Sequence, residues 1–154
     1  MPVIRALCIN RRRQSVNPLW TATHAAGRML QFDAQWQVCG EAGGGSSVLR
    51  LTENHQPDVV LMDLSMPGMD GLEATQRIKA KFPGTKILLL TAHVSRGLAE
   101  IAFRAGVNGY VVKSSTRQEL FRAMEAIKRG EIYVSPAAIA PAETRHLVAA
   151  DELK

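Results

Sequence analysis

Apolar positions along this chain fall into two rhythms. Short continuous runs, suited to strands buried on both faces, recur at residues 3–9, 36–39, 59–62, 86–90 and 109–112. Segments of helical period separate them. The first spans about 18–30: Asn17 is a capping residue, Pro18 suits the first helical position, and Leu19, Trp20, Thr23, Ala26 and Leu30 share a face. The second covers 47–54 after Gly43, Gly44 and Gly45, with Val48, Leu49 and Leu51 apolar. The third, 71–81, turns Leu72, Ala74 or Thr75, and Ile78 inward and stops at Pro83 and Gly84. The fourth, 95–105, sends Leu98, Ile101, Ala102 and Ala105 inward and ends at Gly106. The fifth opens on a capping box of Thr116 with Glu119 and carries Leu120, Met124 and Ile127 before Gly130. Five strand–helix units in this order predict an α/β fold, a doubly wound five-stranded parallel sheet with helices on both faces.

One stretch concentrates the chemistry. Val59 to Met62 deliver a single carboxylate, Asp63, to a turn marked by Pro67, Gly68 and Gly71, and Asp70 with Glu73 forms a capping box that starts the third helix. A carboxylate at the C-terminal end of a buried strand sits where open α/β sheets bind ligands. The run D-x-x-M-P-x-x-D-G, residues 63–71, resembles the phospho-acceptor loop of two-component response-regulator receiver domains. The resemblance implies the flavodoxin-like strand order 2-1-3-4-5 and a phosphoryl group accepted on Asp63. It also assigns Thr91, after the fourth apolar run, as the switch hydroxyl, and Lys113, after the fifth, as the point charge for a phosphoryl oxygen. Tyr110 is then the aromatic switch residue. His93, two past Thr91, reads as rim surface and not as a catalytic base.

The departure from the family pattern lies after the first strand. Receivers end that strand on an acidic pair that binds Mg²⁺ with the acceptor; here it runs into Asn10, Arg11, Arg12 and Arg13, and no Asp or Glu precedes Asp33. The spacing to Asp63 is also longer than the family's, with the extra residues expected in the loop at 11–16. Mg²⁺ is a hard octahedral cation that wants carboxylate oxygen. Asp63, the backbone of Ser65 and Asn10 make a weak donor set, so no metal and no cofactor is expected, with Mg²⁺ binding poor. Either an arginine of the 11–13 run pairs with Asp63 in place of the metal, or the run is a solvated loop.

Composition adds boundaries. The 154 residues, 46% hydrophobic and 21% charged, suit one domain with a modest tail. No apolar run spans a membrane and no signal peptide opens the chain, so a cytoplasmic protein is expected. Cys8 and Cys39, without C-x-x-C spacing, read as buried reduced thiols. The net charge of +5 permits nucleic-acid contact without arguing for it. Residues 1–134 form the expected receiver, and 135–154 a tail or linker in which Pro141 opens a short helix. Twenty residues cannot supply a helix-turn-helix, so no nucleic acid is expected on this chain. Gly130 to Pro136 nevertheless resembles the exit of receivers that precede a LuxR/NarL-type DNA-binding domain. The expectation is thus a non-enzymatic signalling module of a two-component phosphorelay, with a sensor histidine kinase or other signalling protein as partner. Its output surface, and that of any homodimer, is expected within 95–129. The rival readings are the sensory half of a DNA-binding transcription regulator and, more remotely, an aspartyl-phosphate-type phosphatase. The last needs a second carboxylate where Ser65 stands.

Overall fold

The computed structural model describes residues 4–9, 36–64, 69–113 and 117–139. Outside them lie the helix expected at 18–30, Asn10 with the arginine run, Ser65, Pro67, Gly68, the Thr116 cap and the tail helix after Pro141. The described elements run β1 (Ile4–Ile9), β2 (Trp36–Ala42), α1 (Gly45–His55), β3 (Val59–Asp63), α2 (Gly71–Lys81), β4 (Lys86–Thr91), α3 (Arg96–Ala105), β5 (Gly109–Val112), α4 (Arg117–Lys128), β6 (Tyr133–Val134) and α5 (Pro136–Ile139).

The strands pair in the order β2-β1-β3-β4-β5-β6, and every pairing is parallel. The first five follow the expected order; the sixth corrects the expected count. Tyr133 and Val134 pair with Gly109 and Tyr110, extending the sheet by two residues that show no period of their own. Folded structure also continues beyond residue 134, because Ser135 and Ala138 are buried.

Strand alternation divides the core in two. Val60, Met62, Ile87, Leu89, Tyr110 and Val112 face α1, α2 and α3, packing with Val48, Ala74, Ile78, Ala99 and Ala102. Val59, Leu61, Leu88, Leu90 and Val111 face α4, packing with Trp36, Leu120, Ala123, Met124 and Ile127. On α3 Ala102 is buried as expected, but Ile101 departs from the expected inward face: it is 51% exposed, and Ala99 is buried in its place. Cys39 is a half-buried cysteine outside any disulfide, less enclosed than its strand pattern suggests.

Helix ends follow the sequence signals. Asp70 Oδ1 accepts from the Glu73 N–H at 2.8 Å and Ser95 Oγ from the Leu98 N–H at 3.1 Å, each satisfying a first-turn donor. Glu73 does not close the capping box; its carboxylate takes Arg77 at 2.9 Å, one turn along. Gly106 ends α3 at φ +112°, a left-handed conformation that suits glycine. Among the described residues no helix is long and apolar enough to cross a membrane.

Candidate functional site

Parallel register fixes where the candidate residues stand. Asp63 is level with Leu90, Thr91 with Val112, and Lys113 follows directly, so the three share the C-terminal edge of the central strands. Backbone bonds carry that alignment past the strand ends: Leu64 N–H donates to Leu90 O at 3.1 Å, and Lys113 N–H to Thr91 O at 2.7 Å. Gly71 brings α2 to the same edge. Its N–H donates to Leu64 O at 2.8 Å, and a Cβ there would stand 2.8 Å from Asp63 O and 3.0 Å from Leu64 Cα. The aspartate–glycine pair that opens α2 thus caps the helix with one residue and lets it touch the end of β3 with the next.

Alternation sorts the four residues into two pairs. Asp63 and Lys113 fall on the α4 side, in step with Leu61 and Val111, and they meet: Lys113 Nζ donates to Asp63 Oδ2 at 2.6 Å, with side chains 6% and 3% exposed. Such a charge-assisted bond sets the carboxylate directly against its cation, away from water. Thr91 and Tyr110 fall on the other side, both buried. The turn after β4 joins them. His93 N–H donates to Thr91 Oγ1 at 3.1 Å, and the Tyr110 hydroxyl donates to His93 O at 2.7 Å. Burial raises the Tyr110 phenol pKa, and the neighbouring Thr91 hydroxyl offsets part of the rise. The His93 side chain is exposed, as the sequence suggested; its backbone is what the site uses. Trp36 stands at the start of β2, paired with Ile4, at the opposite end of the sheet.

Sequence reasoning missed Ser135 and underread Glu119. Ser135 Oγ donates to Glu119 Oε1 at 2.6 Å, and the Tyr133 hydroxyl donates to the same oxygen at 3.2 Å. Burial, the Glu119 charge and this hydrogen bond together push the Tyr133 phenol up to about 12. In sequence Ser135 stood only within the Gly130 to Pro136 exit segment, as a serine before proline that reads equally as a plain helix start.

A buried carboxylate held by a lysine at the C-terminal edge of a 2-1-3-4-5 parallel sheet finds its match in one family. Residues 21–125 match the model of the response regulator receiver domain. The chain belongs to that family. The receiver is 38% identical over 109 residues to the oxygen regulatory protein NreC of Staphylococcus carnosus, covering 70% of this chain and 50% of the relative. It is 34% identical over 112 residues to the probable transcriptional regulatory protein NarL of Mycobacterium tuberculosis, covering 73% of this chain and 52% of that one. It therefore spans about half the length of these curated relatives. A LuxR-family two-component response regulator from Aurantimonas superposes on it with a TM-score of 0.80 at 30% identity, covering 99% of this receiver and 100% of that chain. The receiver domain of NarL from Mycobacterium tuberculosis gives 0.73 at 29% identity, covering 84% and 98%.

Among the described residues no group of three or more His, Cys, Asp or Glu could hold a metal ion. Asp63 Oδ2 already accepts from an ammonium, and the residues that follow β1 in sequence are Asn10 and three arginines.

Proposed function

We propose that this receiver accepts a phosphoryl group on Asp63 from a phosphohistidine donor. An Asp63 oxygen attacks phosphorus, the histidine nitrogen leaves, and an acyl phosphate results. Lys113 then follows the new charge from Asp63 Oδ2 to a phosphoryl oxygen. Thr91 turns from the His93 N–H to donate to another, and Tyr110 settles behind it. The single observation that carries this reading is the buried Lys113–Asp63 contact at 2.6 Å on the strand edge. The partner is a sensor histidine kinase, and output passes through a protein surface on α3, β5 and α4. Relatives that this chain matches over about half their length are named oxygen or transcriptional regulatory proteins, which favours the transcription-regulator reading over the phosphatase. Mg²⁺ serves poorly here, since one carboxylate cannot replace the acidic set that a dehydration-reluctant ion needs.

The test is labelling by a small phosphoryl donor such as phosphoramidate, followed by intact mass and peptide mapping. One phosphoryl group on Asp63, absent in Asp63→Asn and little affected by Mg²⁺, is the expected result. Replacing Asn10 and Arg11 by aspartate should make labelling faster and Mg²⁺-dependent. Strong Mg²⁺ binding by the unmodified chain would make it a conventional receiver. No label on Asp63 in either form would remove the phospho-acceptor reading.

A further inference from the structure

Ser135 links the site to the segment by which the chain leaves the sheet. It lies buried between β6 and α5, where the two-residue strand stops and Pro136 turns the backbone. Its N–H donates to Tyr110 O at 2.8 Å, continuing the β5–β6 ladder. One step further, its hydroxyl accepts the Val112 N–H at 3.0 Å and donates to Glu119 Oε1 at 2.6 Å. A side chain thus finishes the ladder where the backbone can no longer do so. The need is real, because Val112 is buried and a buried N–H without an acceptor is costly. The residue after Val112 is Lys113, bound through its backbone to Thr91 and through its ammonium to Asp63.

An unbroken series of short bonds therefore runs from the Asp63 carboxylate through Lys113, Val112 and Ser135 to Glu119 on α4, with Tyr133 bound to the same Glu119 oxygen. The hydroxyl is suited to this role because it donates and accepts at once. A charged acceptor makes its donated bond about twice as strong as a neutral one would be. If the end of β5 shifts to follow a lysine drawn toward new charge, Val112 must leave Ser135 or take it along. Either outcome moves the segment 133–139.

We infer that Ser135 and Glu119 form a latch that transmits the charge state of Asp63 to the exit segment 133–139. The biological sense of the latch rests on the receiver reading of Asp63. Its test needs no phosphoryl group, so failure to label Asp63 and failure of the latch are separable.

The experiment is amide hydrogen exchange by NMR on the full chain, in a double-mutant cycle. Asp63→Asn disturbs the ion pair, and exchange is read at Tyr133 and Ser135, with Ile78 on α2 as the reference for global stability. In the otherwise unmodified chain, Asp63→Asn should speed exchange at 133 and 135 by about tenfold beyond any change at Ile78, the scale of one hydrogen bond of typical strength. In a Ser135→Ala background that extra effect should vanish. It should persist with Tyr133→Phe, which removes a side arm and leaves the series intact. Glu119→Gln, which keeps the shape and removes the charge, should reduce it, and serves as the test if Ser135→Ala does not fold. An equal effect of Asp63→Asn with and without the latch, or none at 133 and 135 in the unmodified chain, would overturn the inference.

Discussion

Lys113 and Asp63 face each other with little water nearby, so their energetics are asymmetric. Removing the ammonium leaves a carboxylate, 3% exposed, without the cation 2.6 Å away. Lys113→Ala should lower stability by about 3–5 kcal/mol, measured as a lower urea midpoint at unchanged slope. Combining Lys113→Met with Asp63→Asn should recover much of the loss, because both charges go together. Tyr133 makes a prediction in pH. Its phenol titrates near 10 when free and at about 12 in the fold, so the folded state keeps a proton that the unfolded chain has released. The stability it contributes is fully present below pH 10 and is lost as pH rises toward about 12. Melting temperature should fall across that window, and Tyr133→Phe should flatten the part of the fall that Tyr133 causes; an unchanged slope would dismiss this origin. The strand-edge positions of Asp63, Thr91 and Lys113 were legible because each ends an apolar run, whereas the roles given to them and to Tyr110 rest on the resemblance to receivers. Ser135 was not legible: its bonds reach 16 and 23 residues back along the chain, and no local pattern encodes such a partner.

At the scale of elements, the junction of β3 with α2 depends on a missing side chain. A Cβ on Gly71 would press on Asp63 O and Leu64 Cα, both backbone and unable to turn aside, and on Leu89 Cδ1 at 3.0 Å. Gly71→Ala should cost about 1–3 kcal/mol by overpacking, seen in denaturant titration, and should slow labelling of Asp63 by displacing its strand end. The surface expected within 95–129, to which α3 and α4 both contribute, supports a different experiment. Ile101 is exposed where the sequence period placed it inward, and Arg104 and Arg122 are exposed on the two helices. If two receivers associate through this surface with C₂ symmetry, Arg104→Glu and Arg122→Glu should each weaken the dimer in sedimentation. Association unchanged in both would locate it elsewhere. The period of α3 misled at Ile101 because adjacent positions on a helix lie about 100° apart, and the buried stripe runs through Ala99 and Ala102, leaving Ile101 outside it.

For the molecule as a whole, a parallel sheet followed from the alternation of strand and helix segments, whereas its strand order came only with the resemblance to receivers. Runs such as 59–62 and 109–112 bury both faces and so announce themselves by composition alone. A two-residue strand cannot, which is why β6 emerged only in three dimensions. Its placement has a consequence for solubility. Without it, Gly109, Tyr110, Val111 and Val112 would form the open margin of the sheet: an uncharged, mostly apolar segment whose amides and carbonyls invite pairing with another molecule. Tyr133 and Val134 occupy that margin, and the strand that replaces it is too short to recruit a neighbour. Pro136, next but one, has no N–H to offer an incoming chain. The segment that leaves the domain thus also blunts the edge most prone to aggregation.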